Sequence, residues 1–180
     1  VNDGDARSSL DHVLRYTHSD RFQKLPGYVT FAPHWHLAYT MQARDHNFEW
    51  VPTFKPVMQA SGIDAAMIND FHGDGHPRDT GDLRLQELSD YYRACRAQSN
   101  SNFLLMPAEE ANVHLGGHWS VVFPKPVYWY MDRKPDQPTE EQNAKYGKVY
   151  RVNSPEEVWN LVSKEDGYVY QTHPRTKGST

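Results

Sequence analysis

Apolar positions in this chain come in short runs divided by polar turns, and their spacing separates helices from strands. Leu85, Leu88, Tyr92 and Cys95 recur at i, i+3, i+7 and i+10, which places them on one face of an α-helix. On that face Cys95 reads as a small core residue rather than a nucleophile. Ser154-Pro155-Glu156-Glu157 is a capping box with proline at the first helical position, and Val158, Leu161 and Val162 continue the helix it starts. Phe54, Val57 and Met58 mark a helical turn that Gly62 ends, and Ser8-Ser9 caps another before Leu10, Val13 and Leu14. Strands are expected at Tyr28 to Phe31, Ile63 to Ile68, Phe103 to Met106, His118 to Phe123, Val127 to Tyr130 and Gly167 to Thr172, where apolar or alternating residues are bounded by turn formers. The polar stretch Asp132 to Lys148, with Pro135 and Pro138, reads as a loop or insertion. Strands alternating with helices predict parallel pairing and an α/β class. A helical lead-in over 1–26 is expected to precede one α/β domain over 27–180.

Composition narrows the function classes. The 180 residues suffice for one domain with a real core. No apolar run approaches the roughly 18 to 20 residues of a membrane span, and a mean hydropathy of −0.82 fits a soluble chain. A net charge of −4 gives no footprint for nucleic acid. A single cysteine excludes an internal disulfide and a cysteine-based zinc cluster. The excess lies in 10 histidines, a residue suited to transition metals and to proton transfer near neutral pH. The chain starts at Val1 without Met, shows no signal peptide and stops just after a strand-like run. It is therefore expected to be a piece of a longer protein, with its compartment unknown.

The polar clusters share a location. His34 and His36 follow the first strand, Asp70 and His72 the second, Glu109 and Glu110 the third, and His173 the last. Imidazole nitrogen and carboxylate oxygen ligate divalent zinc, manganese or iron, and ligands this numerous exceed one tetrahedral shell. In a strand, residues i and i+2 share a side, so His34 and His36 can hold one ion while Trp35 faces away; a surface pair is the alternative. Asp70 and His72 have the same spacing, with the turn formers Gly73-Asp74-Gly75 offering a plain turn instead. Burying Glu109 and Glu110 together unpaired is expensive, and a bound cation removes that expense. His118 follows Gly116-Gly117, where backbone can approach a ligand closely, and is expected in the cluster where His114 is not. His12, His18 and His46 lack such context and read as surface residues.

The order His-x-His, then Asp and His before Gly, then Glu-Ala-Asn, Gly-x-His and His-Pro resembles the PHP family, the polymerase and histidinol phosphatase superfamily. The resemblance covers roughly residues 27 to 175. It implies a partial or distorted (β/α)7 TIM-like barrel, truncated at its C-terminus, with two or three divalent ions and hydrolysis of phosphoesters. It assigns metal ligation to His34, His36, Asp70, His72, Glu110, His118 and His173, with Glu110 bridging ions. Glu109 and His76 are then the candidate catalytic groups. Arg78, Arg175 and Lys177 lie just beyond proposed ligands and would bind an anionic small molecule, phosphorylated or carbohydrate-like, unless they are solvated loop cations. Two other functions stay open. An amidohydrolase-type metal hydrolase also opens with His-x-His. A non-enzymatic, metal-bearing module would use Trp119, Tyr128, Trp129 and Tyr130 as an aromatic platform, unless these simply pack in the core.

Overall fold

The helix read from Leu85, Leu88, Tyr92 and Cys95 runs from Gly81 to Gln98 and buries Leu85, Leu88, Tyr91 and Cys95 almost completely. This computed structural model describes residues 25–36, 55–71, 81–111, 115 and 117–172, with the side chains of all but 70, 71 and 81–83. Among them lie eight strands and three helices. In chain order they are β1 (Phe31–Trp35), α1 (Lys55–Ala60), β2 (Ala65–Phe71), α2 (Gly81–Gln98), β3 (Leu104–Ala111), β4 (Trp119–Val122), β5 (Tyr128–Tyr130), β6 (Glu140–Asn143), β7 (Gly147–Arg151), α3 (Pro155–Lys164) and β8 (Tyr168–Gln171). The serine half of the capping box forms as read, while the Glu157 carboxylate bonds one residue before the cap rather than the Ser154 amide. Ser154 accepts from the Glu157 amide at 3.2 Å, and the Glu157 carboxylate reaches back to the Asn153 amide at 2.8 Å. The lead-in helix expected over 1–26 falls outside the described residues, apart from its last two.

The strands form two mixed sheets, ordered β1-β2-β3-β4-β8 and β5-β7-β6. Strands β1, β2 and β3 are parallel, as the alternation of strands and helices predicts. From there the expected (β/α)7 barrel fails. Strand β4 runs antiparallel to β3, and β8 antiparallel to β4. The reason is connection length. Residues 112–118 are too few for a parallel crossover, which takes a dozen or more, so the chain turns back on itself. A second departure is the polar stretch Asp132 to Lys148, which contains β6 and the start of β7. Its side chains hide the strand because β6 carries Glu140, Glu141, Gln142 and Asn143. Pairing and turn chemistry hold it instead. The Asn143 side chain accepts from the Lys145 and Tyr146 amides at 2.9 and 3.1 Å, and Arg151 on β7 bonds Glu141 at 3.0 Å.

The five-stranded sheet is curled into a half-barrel. The Tyr170 hydroxyl on β8 donates to the Pro33 carbonyl on β1 at 2.5 Å, although these are the outermost strands. In a flat sheet, four strand spacings would separate them by roughly 19 Å, well beyond a tyrosine's reach. The convex side carries the cores. Met58, Ala66, Ile68, Tyr91, Cys95, Phe103 and Leu105 pack under α1 and α2. A larger cluster joins Leu88 and Ala111 to Val121, Trp129, Val152, Val158 and Leu161, and so ties α3 and the second sheet to the first. Tyr91 pins α2 to the sheet by donating to the carbonyls of Ile68 at 2.7 Å and Ala108 at 3.1 Å. Gly167, just before β8, lets that strand come close to β4, because a β-carbon there would sit 2.7 Å from the Phe123 ring.

Candidate metal centre

Strand alternation decides which way the two adjacent glutamates of β3 point. Leu105, Glu109 and Ala111 fall on the convex side, against α2 and the core, so Glu110 faces the concave side. There it meets His34 from β1, His36 just beyond β1, His118 just before β4 and Thr172 just after β8. One Glu110 oxygen, Oε2, lies 3.0 Å from His36 Nε2 and 3.5 Å from His34 Nε2. The two histidine nitrogens are 2.9 Å apart. The other oxygen, Oε1, lies 3.1 Å from His118 Nδ1 and accepts from the Thr172 hydroxyl at 2.9 Å. Glu110 is 2% exposed, and the histidines are partly exposed.

His34, His36 and Glu110 form a group that can hold a metal ion. Three ligands each about 2.0–2.2 Å from one tetrahedral ion lie roughly 3.4 Å from one another. The observed spacings of 2.9, 3.0 and 3.5 Å fit that arrangement with small adjustments. Burial pushes the Glu110 carboxyl up, but bonds from His36, Thr172 and His118, with His34 nearby, outweigh it and hold the group well below the usual carboxylate range. The carboxylate is therefore ionised and available as a ligand near neutral pH.

The strand that carries the histidines is irregular. Phe31 and Ala32 pair with Ala65 and Ala66, but Trp35 pairs with Ile68, so β1 holds one extra residue around Pro33-His34. Proline has no N–H to give to the ladder, which makes this a natural place for a bulge, and bulges re-aim side chains. The i, i+2 spacing of His34 and His36 still brings both to Glu110.

Other expected site residues divide into two sets. Asp70 lies in β2, but its side chain is outside the described residues, as are His72, His76, His114, Arg78, His173, Arg175 and Lys177. Glu109, expected as a catalytic group, points the opposite way. Its carboxylate accepts from Arg84 on α2 at 2.8 Å and from the Trp129 indole at 2.7 Å, and all three side chains are buried. Arg84 also donates from Nε to the Trp129 carbonyl at 2.7 Å. Trp129 and Tyr130 are buried and belong to the core, so they present no aromatic platform.

Sequence reading missed Thr172, Tyr170, Asn69 and Ser120 on the concave side. One signal was present: Tyr170 and Thr172 are two apart in a predicted strand that ends at His173-Pro174, so they share a face at the site. Burial pushes the Tyr170 phenol up, the Glu110 charge adds to this and a bond with Ser120 opposes it. Against known protein families, curated proteins and solved structures, the chain gives no match.

Proposed function

We propose that this chain carries the metal site of a divalent-metal-dependent hydrolase acting on small phosphoesters. The observation that carries the reading is the convergence of His34, His36 and the buried Glu110 carboxylate on one point of the concave face. Two imidazoles and one carboxylate suit zinc, manganese or iron, and three protein ligands leave a position for water or substrate. A divalent ion held there by His34, His36 and Glu110 would lower the pKa of bound water and take up charge on the reacting oxygens. The protein residues do the rest. His118 and Thr172 engage Oε1, which directs Oε2 toward the two histidines. Against two positive charges the group offers one negative one, and the remaining positive charge favours an anionic ester. The order of motifs resembling the PHP family supports the same chemistry, with a second or third ion held by His72, Asp70 and His173. Arg78, Arg175 and Lys177 are proposed to hold the phosphate, and His76 to serve proton transfer.

The test is hydrolysis of 4-nitrophenyl phosphate by the protein after metal removal and reloading with Mn²⁺ or Zn²⁺, with bound metal measured alongside. Turnover that returns with metal and vanishes in Glu110→Gln is the expected result. Turnover without metal, or full activity in Glu110→Gln, overturns the reading.

A further inference from the structure

The extra residue in β1 leaves the Pro33 carbonyl turned toward the concave face, next to His34. Two side chains from other strands meet it. The Tyr170 hydroxyl donates to it at 2.5 Å, and the Asn69 amide approaches it at 3.5 Å. Asn69 is fully buried; its amide also reaches the Met67 carbonyl at 3.2 Å, and its carbonyl oxygen accepts from the Ser120 hydroxyl. Across the sheet, Glu110 pairs with Ser120 and Ser120 pairs with Tyr170. The row of residues that starts at the carboxylate thus ends on the backbone that presents the histidines. Among the described strands, β1 is paired only with β2, so this contact from β8 restrains it from across the half-barrel.

We propose that Tyr170 is a positioning residue for the metal site: its hydroxyl, with Asn69 and Ser120 beside it, clasps the Pro33 carbonyl and fixes the bulge that aims His34 and His36 at Glu110. This rests on the metal reading above. The phenol donates to the Pro33 carbonyl and needs no change of protonation; it acts through the backbone. Outer partners that orient ligands typically contribute 10- to 100-fold in metal affinity, and the clasp belongs to that range.

The experiment compares wild-type protein, Tyr170→Phe and Tyr168→Phe. Co²⁺ is titrated with its visible absorption recorded, and histidine ring signals are read by NMR in metal-free protein. Folding is checked by circular dichroism. Tyr170→Phe is expected to weaken Co²⁺ binding about 10-fold or more, to change the visible band, and to shift or broaden the His34 and His36 ring signals in the absence of metal. Tyr168, on the same strand and largely exposed, is expected to tolerate the change in both readouts. A folded Tyr170→Phe with wild-type Co²⁺ affinity overturns the proposal. If wild-type protein binds no Co²⁺, the metal reading fails. The clasp is then decided by the metal-free signals alone, where unchanged His34 and His36 rings overturn it. Should Tyr170→Phe not fold, Ser120→Ala takes its place, since it frees Asn69 at the other end of the clasp. The same ring signals must move, or the proposal falls.

Discussion

On the convex side of β3 the Glu109 carboxylate takes one bond from Arg84 and one from the Trp129 indole, at 2.8 and 2.7 Å. One residue along, on the concave side, Glu110 meets imidazoles and the Thr172 hydroxyl. Both carboxylates are buried to within 3% exposure, so both need compensation for lost hydration. Their partners differ in kind. Guanidinium is charged at every pH that proteins meet, so the Glu109 pair is permanent. Imidazole titrates, and a hydroxyl carries no charge. The described partners of Glu110 are thus groups that can ligate or orient a divalent cation, which a guanidinium cannot do. Burial of a carboxylate does not by itself mark a site; the chemistry of the groups gathered around it does.

The two carboxylates should differ most in what they contribute to stability. Glu109→Gln removes the carboxylate charge 2.8 Å from the buried Arg84 guanidinium, and removal of one partner from a buried pair costs about 3–5 kcal/mol. Urea denaturation should show a loss in that range, with any folded fraction still binding metal. Glu110→Gln should do the reverse. Its amide keeps the size but cannot neutralise a cation, so metal affinity should fall by more than about 100-fold, beyond what outer partners contribute. Metal content by mass spectrometry checks this, while metal-free stability changes less than in Glu109→Gln. Equal metal loss in both variants would erase the distinction between the two faces.

Thr172→Val comes next. It removes one bond to Oε1 and leaves His118 in place, so affinity should drop by about 10-fold, at the low end for an outer partner. Isothermal titration with Zn²⁺ reads it.

A third carboxylate should show the smallest effect. Glu165, at the end of α3, is held below its ordinary value by a bond from Tyr150 and by Lys125 at 2.9 Å. Burial, and then Glu165 itself, push the Tyr150 phenol up. A depressed carboxyl adds stability above its unfolded value, about 4.3, and loses it as pH falls through the folded value. A raised phenol adds stability below about 10 and loses it as pH rises through its folded value. The pair therefore holds between these limits. Glu165→Gln should flatten the acid side of a stability profile below pH about 4, by under about 1 kcal/mol because the partner lysine is solvent-facing. A wild-type acid slope in this variant would show that Glu165 carries none of it.

How much of this was legible in the sequence follows from the range of each interaction. Helix α2, the Ser154 cap and the parallel start of the sheet were readable, because periodicity and capping are local. His34 and His36 were readable as a pair from strand alternation, and Glu110 was singled out from Glu109 by its place in a motif. Three things were not. The turn-back of β4 depends on the shortness of 112–118, which alternation of elements does not register. Strand β6 is polar on both faces and exists through its partner β7. The Arg84–Glu109–Trp129 cluster joins residues from α2, β3 and β5, and no pattern within any one element announces it. The same distance hides Tyr170, whose partner Pro33 is 137 positions away.

The route from β4 to β8 has a kinetic consequence. Strand β8 joins the first sheet only after the chain has travelled through β5, β6, β7 and α3, and it re-enters where Gly167 meets Phe123. Contacts that close so long a path come late, because the entropy of closure must be met before they form. The parallel trio β1, β2 and β3 is built from shorter steps. Refolding should therefore assemble the histidine strand beside Glu110 early and bring in Thr172 and Tyr170 last. Added Zn²⁺ should then speed the early phase seen by stopped-flow tryptophan fluorescence, in which its ligands come together, and acceleration confined to the final phase would reverse that order.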